Sequence, residues 1–581
     1  MIRTLALSAL LAGCISVPDT TAPSCSADTD CGGNGEVCAE GVCYGDPPTG
    51  MFSGYLTPPA ERTDLAAQEL VALELPADGW LGDLAFSAPT VFRATLTATC
   101  TAPLVCASPA IDAMVTVTRP SRFAGGPGVK ATAKVDPSTS AFAIPLQPTA
   151  DGDDAYTLTI VPSGRDTEPA NGEAPTIAML VPPTRLHPTV SPGSTPNTYV
   201  LGGENLYIVS GSVLDAQQAP LADYRVVALG RWSTDETPDE ISTIAYTDAY
   251  GQFAIAISAD AVGNVELVAR PPSTSTAATL HVPGVDPKHP VTHILSQPAY
   301  AGAALTTVVH VQGASSGGSI TGVAGARVAL VSSAATTGGT AVIEADGVTD
   351  EGGDATLTVL DGAAFASSYS LSIVPQASAS IGVVYATAVA DPHVIPAQTL
   401  PNRLALRGTV TDAGGLPLAN VAVTAHPALG FAWKLDPAPQ EFLASIPAPT
   451  AVTPDDGSFV LWVDQTIAGS WATYDLDFDP AATTDAASLR VANVDLPRDA
   501  TLTADTLAAT VLPVPARLHG HVIDPVGASL DGVDFKIFRP IEDTDLCMLA
   551  NAPPGCPINA PPAGRDTSDQ QGIVRVTLPR E

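Results

Sequence analysis

Residues Leu406 to Leu429 read LRGTVTDAGGLPLANVAVTAHPAL, and after an insertion Ala451 to Val463 read AVTPDDGSFVLWV. Gly408, Val410 and Asp412 mark a strand that runs into a turn at Gly414-Gly415, a Pro417-Leu418 step and an alternating strand through Val421 and Val423. Asp455-Asp456-Gly457 has the composition of a hairpin, because Asp and Gly tolerate positive φ. Phe459, Leu461 and Val463 then alternate, the period-two signature of a strand with one buried face. The skeleton occurs twice more. SGSVLDAQQAPLADYRVVAL spans Ser210 to Leu229 and is followed by TDAYGQFAIAI from Thr247. LHGHVIDPVGASLDGVDFKIF spans Leu518 to Phe538 and is followed by TSDQQGIVRVTL from Thr567, where Ile573 stands after Gly572 in place of the aromatic residue.

From about Leu84 a second kind of unit alternates with these copies. One ends in YTLTIVPS from Tyr156 and its near repeat ends in YSLSIVPQ from Tyr369. The body therefore reads as two tandem pairs and an extra terminal unit, each long enough for its own sandwich. A chain of 581 residues is too long for one core. Its 54 prolines and 49 glycines punctuate it too often for long helices. Sixty acids against 25 bases leave a formal charge of −35, which repels nucleic acid and acidic lipid surfaces and draws cations and basic partners.

At the N-terminus Arg3 precedes an apolar run from Leu5 to Leu11 and the small pair Ala12-Gly13, the layout of an export signal too short for a permanent span. The stretch Leu11-Ala-Gly-Cys14 resembles the lipobox of bacterial lipoproteins. That resemblance implies cleavage before Cys14, lipid on its sulfur, and a membrane partner reached through acyl chains at roughly 0.8 kcal/mol per buried CH₂. Ser16 is not acidic, which leans the location to the outer membrane, on its surface or periplasmic face. The other eight of nine cysteines are an even number suited to an oxidising compartment. Cys25, Cys31, Cys38 and Cys43 cluster in a stretch with too few apolar residues for a core, so disulfides must close it, in one of three pairings. The cluster's spacing resembles cysteine-rich modules that follow the lipobox in surface lipoproteins of myxobacteria and their relatives. Cys100 with Cys106, and Cys547 with Cys556, are close enough to clip single loops.

The G-x-V-x-D strand, the P-L or S-L step and the T-D-x-x-G-x-F hairpin resemble carboxypeptidase regulatory-like domains, which are small transthyretin-like β-sandwiches. The resemblance implies a domain that folds, spaces or binds and supplies no catalytic residue. The expected class is all-β, with tandem Ig-like or transthyretin-like sandwiches and a disulfide-rich N-terminal module. Its divisions are a signal peptide at 1–13, a lipidated tether at 14–24, the Cys-rich module at 25–43 and a linker or approach segment at 44–83. Sandwiches follow at 84–200 and 288–400, carboxypeptidase regulatory-like sandwiches at 201–287 and 401–513, and a partial one, without its closing strand, at 514–581. Asp64 to Leu75 fits either a short helix or an approach strand. Strung out at roughly 35 Å each, five sandwiches reach on the order of 170 Å.

Chemistry is sparse. None of the nine histidines has a Glu at the H-x-x-E spacing of a carboxypeptidase zinc site, and no H-E-x-x-H occurs. The letters around Ser315 match a nucleophile elbow, but Gly317-Gly318-Ser319 continues a loop where the motif needs a helix. His519 and His521, two apart on a strand, offer a two-point metal contact. Asp151, Asp153 and Asp154 at a turn are weak candidates for Ca²⁺, lacking the EF-hand glutamate. Asp475, Asp477 and Asp479 form an acidic ladder that faces water and guards a sheet edge. Trp232, Trp433 and Trp471 near loops suit stacking on sugars. The expected function is a non-enzymatic, lipid-anchored arm for structure, adhesion or assembly, without a cofactor; the alternatives are a glycan- or peptide-binding lipoprotein and a hydrolase with an unrecognised site.

Overall fold

The computed structural model describes residues 24–580 apart from 33–34, 99–110, 124–125, 149–155, 166–176, 189, 191–195, 203–205, 234–237, 290, 299–302, 315–318, 337, 362–364, 366–368, 433, 436–441, 482–483, 485 and 540–561. The regular structure of the described chain is almost entirely strand, arranged as five two-sheet sandwiches and the small Cys-rich hairpin Val37–Ala39/Val42–Tyr44. Each sandwich is built around one central strand with an antiparallel partner on one side and a parallel closing strand on the other. In the second, Leu206–Leu214 lies between Gln252–Ser258 and the parallel Thr292–Ser296. In the fourth, Leu404–Thr411 lies between Ser458–Val463 and the parallel Ala504–Thr506 and Thr510–Val511. The units between the copies share this plan: Thr90–Ala98 pairs with Ala141–Leu146 and parallel Asn197–Leu201, and Ala303–Ala314 with Asp354–Asp361 and parallel Gln398–Thr399. The sequence's two kinds of unit are therefore one topology.

The fifth sandwich corrects the reading of 44–83 as linker. Its central strand Pro515–Ile523 pairs with Ile573–Pro579, and its closing strand is Trp80–Ala85, parallel and more than four hundred residues earlier in the chain. Phe52–Thr57 also inserts, between Gln68–Leu73 and Asp534–Phe538. The choice left open for Asp64 to Leu75 falls to strand for Gln68–Leu73. The core mixes both regions: Phe52, Leu56, Leu84 and Phe86 pack with Leu518, Phe535, Ile537 and Val576. The closing position is filled, and the path from first to fifth sandwich returns to where it began, so the 170 Å string does not form.

Sequence chemistry explains the repeated core. Gly408 faces the Phe459 ring, and a Cβ there would stand 2.5 Å from it; Gly211 faces Phe253 in the same way. In the fifth sandwich Gly520 pairs with Val574, so Val574, not Ile573, takes the aromatic position. The second and third sandwiches share more than the others. Thr279–Val285, the last strand of one sheet, pairs with Gly339–Val348 of the next, and the two cores form one cluster.

Candidate functional site

The polar residues of the repeat hold turns. Asp215 accepts the amides of Gln217 and Ala219, and Asp524 those of Val526 and Ala528. Thr247 Oγ1 accepts from Tyr224 N and donates to Leu221 O. Thr453 makes the matching pair with Val421 and Leu418, and Ser568 with Val533 and Leu530. Thr349 does the same with Ala326 and Val323, which reveals Thr349-Asp-Glu-Gly-Gly353 as a copy that sequence reasoning missed although its T-D-x-x-G signal was present.

Scarce arginines hold the joints. Arg119 Nη2 lies 2.9 Å from Glu69 Oε2, both nearly inaccessible, and ties the first sandwich to the fifth. Arg165 donates to Val181 O at 2.9 Å and to Ser242 O at 2.6 Å between the first and second. Arg403 joins the third and fourth: Nε lies 3.1 Å from Asp464 Oδ2, while Nη1 donates to the carbonyls of Gln376, Ala377 and Ala379. Burial pushes the Asp464 carboxyl up although Arg403 and the Val383 amide oppose the shift. Removing one partner of such a pair leaves an uncompensated buried charge.

The Cys-rich module is pinned by Cys25–Cys38 and Cys31–Cys43. The sulfurs of Cys25, Cys31 and Cys43 lie within 4.8 Å of one another, but as disulfides they are not thiolate ligands. The module docks on the fifth sandwich through Arg580 with Glu36 and Asp46, and Arg575 with Glu40. Cys14, Cys100, Cys106, Cys547, Cys556, Asp151, Asp153, Asp154, Ser315 and Trp433 lie outside the described residues.

His519 and His521 do not converge. His519 is wedged against Tyr44 and Trp80, with ring centroids at 4.1 and 4.9 Å, and burial holds its pKa below the ordinary value. His521 instead bridges two polar groups: Nε2 lies 2.8 Å from Ser529 Oγ and Nδ1 3.0 Å from Asp83 Oδ1. This has the order of a nucleophile, base and orienter. It escaped sequence reasoning because Asp83 is 438 residues from His521. The second and fourth sandwiches carry Pro220 and Pro417 at the Ser529 position, and Ser212 and Thr409 at the His521 position. Asp83 is 62% exposed, however, and neither cleft described below reaches Ser529. The relay's evident role is to fasten the early closing strand to the late turn.

The acidic ladder is also corrected. Thr473–Pro480 lies inside its sheet, between Val421–Pro427 and Leu489–Asp495, so it guards no edge. Asp475 is buried and accepts Arg490 at 2.7 Å and the Asn493 amide at 2.8 Å; Asp479 accepts Ser488 Oγ. Trp232 is covered by the Arg185 guanidinium, and Trp471 is partly exposed on the hairpin Thr466–Ile467/Ser470–Trp471.

Two clefts stand out. The smaller, about 380 Å³, borders Arg93, Phe142 and Pro196 of the first sandwich. The larger, about 1080 Å³, opens where the Cys-rich module and the fourth and fifth sandwiches meet. It is lined by Arg490, Arg517, Arg539, Arg565 and Arg575, five of the chain's 25 basic residues. Among the described residues no helix is long and apolar enough to cross a membrane.

No protein family profile matches the chain, and no curated protein matches it. Solved structures do. The Bacillus anthracis TIE protein aligns at 10% identity over 75% of this chain and 74% of its own, with a TM-score of 0.13. The shaft pilin SpaA of Lactobacillus rhamnosus GG aligns at 11% identity over 36% of this chain and 98% of its own, at 0.15. A streptococcal ancillary pilin aligns at 10% identity over 52% of this chain and 99% of its own, at 0.16. Scores this low carry no argument about function.

Proposed function

We propose that the protein is a lipid-anchored component of the cell envelope whose sandwiches form a non-enzymatic framework for adhesion or assembly. The observation that carries this reading is the fixed geometry of the joints: a buried arginine at three of them and a shared sheet at a fourth. An enzyme concentrates its perturbed polar groups in a cleft. Here most of them lie at turns and joints, and Tyr44, Asp566 and Arg575 are the ones that line the large cleft. The lipobox-like Leu11-Ala-Gly-Cys14 supplies the anchor, and the tandem carboxypeptidase regulatory-like units supply the framework.

The test is protease accessibility of the sandwiches on intact cells, wild type against Cys14→Ala. Exposure in the wild type and release of the variant are expected. Retention of the variant in the membrane fraction overturns the anchor. A serine-reactive fluorophosphonate probe is expected to leave the folded chain unlabelled, and labelling that Ser529→Ala removes would overturn the non-enzymatic reading.

A further inference from the structure

We propose that the large cleft between the fourth and fifth sandwiches receives an extended, carboxylate-bearing segment of a partner protein, which pairs there as an added strand. The inference goes beyond the framework role, which stands without it.

Two joints of the molecule differ at one seam. The second and third sandwiches fuse because Thr279–Val285 pairs directly with Gly339–Val348. By position in the shared topology, the counterpart of Thr279–Val285 in the fourth sandwich is Leu489–Asp495, and the counterpart of Gly339–Val348 in the fifth is Gly564–Thr567. Both counterparts end their sheets, and residues of both line the cleft. Among the described residues, the seam that closes one joint is thus open at the other. A third edge, Ile573–Pro579, also borders the cleft, but there the Arg575 amide already donates to Asp566 Oδ2 at 2.6 Å.

A six-residue strand about 20 Å long fills roughly 950 Å³ at the usual strand and sheet spacings of about 4.8 and 10 Å. The cleft holds about 1080 Å³. An added strand gains main-chain hydrogen bonds from the edges, and its alternate side chains set specificity.

Charge selects the guest. The lining carboxylates are Glu40, Asp477, Asp479 and Asp566, which are engaged by Arg575, Arg490, Ser488 and the Arg575 amide. The guanidinium of Arg565, exposed on the edge strand, makes no hydrogen bond or ion pair among the described residues. In a chain of charge −35 this is a place that favours carboxylates on an incoming segment.

The test is fluorescence anisotropy of a labelled octapeptide of alternating Glu and Val against the full chain. Saturable binding is expected, weakened at least tenfold by Arg565→Glu with Arg539→Glu and lost when alternate amides of the peptide are N-methylated. Circular dichroism and the melting midpoint of the double variant establish that it is folded, and Arg565→Gln, expected to weaken binding less, separates charge from fold. Absence of saturable binding up to 1 mM overturns the proposal, as does equal binding of the N-methylated peptide or of a Lys-Val peptide. A concentration-dependent dimer that Arg565→Glu dissolves would overturn the choice of a separate partner in favour of a second copy.

Discussion

The fourth and fifth sandwiches have one topology and two origins. The fourth takes its central strand, antiparallel partner and parallel closing strands from one uninterrupted run. The fifth takes Phe52–Thr57 and Trp80–Ala85 from one end of the chain and the rest from the other. Their hydroxyl bridges, at Thr453 and Ser568, match bond for bond. Strand pairing and core filling are thus indifferent to continuity, whereas assembly is not. Closing a loop of several hundred residues costs entropy that grows only slowly with length, but its contacts must wait for distant segments to meet.

The largest effect is expected when residues 24–86 are deleted. Hydrogen exchange is expected to show the fifth sandwich unprotected while the fourth keeps its protection; equal protection in both would mean that the early strands are ornaments. Next come the joints. Arg403→Ala within the continuous region and Arg119→Ala beside the composite one are each expected to lower stability by about 3–5 kcal/mol in denaturant titration, since both strand a buried carboxylate. A much smaller loss for Arg119→Ala would set the composite joint apart.

Smaller effects test the shared turn. Leu96, Val213, Val311, Val410 and Val522 donate to equivalent carbonyls at Ser140, Gly251, Gly353, Gly457 and Gly572. All five acceptors have positive φ, from 55° at Ser140 to 86° at Gly353. A Cβ at Gly457 would stand 2.4 Å from Val410 O, and one at Gly572 2.6 Å from Val522 O. Gly457→Ala and Gly572→Ala are therefore expected to cost similar amounts, about 1–3 kcal/mol by thermal melts. Ser140→Gly relieves a left-handed non-glycine but removes the buried Oγ that accepts the Ile111 amide at 2.9 Å, so it is expected to lower stability by about 1–2 kcal/mol.

Acid provides the mildest probe. The Ser458 hydroxyl and amide hold Asp456 below the ordinary carboxylate range, and the Ala528 and Val526 amides do the same for Asp524. Both folded values lie below the unfolded one. Their contribution is present above about pH 4 and is lost as pH falls through the folded values. Melting midpoints of both sandwiches are expected to decline together on acidification below pH 4.

Much of this architecture was legible. Gly408, Val410, Asp412 and Gly457 announce a turn-rich strand pair because each has a local reason to be there, and the structure uses them so. What was illegible depends on distance. Nothing around Trp80 tells which strand lies beside it, and the Pro- and Gly-rich flank from Tyr44 to Pro59 imitates a linker. The third copy was hidden for a different reason: Thr349-Asp-Glu-Gly-Gly353 keeps the turn, but Ala355 stands where the others show Phe253, Phe459 or Val574, and no G-x-V-x-D strand precedes it. The Ser529, His521 and Asp83 relay needed both the distant pairing and the replacement of a proline before it had any signal.

The composite fifth sandwich also sets how the molecule bears load. A pull arriving through the Cys-rich module meets Arg580, Arg575 and the Gly45 to Arg517 hydrogen bond, and so enters the fifth sandwich directly. Its early strands continue into the first sandwich and its late ones into the fourth, so tension divides along two routes that meet again at the shared sheet. A bead string lengthens at its weakest bead; a hoop fastened at its own clasp must first open the clasp.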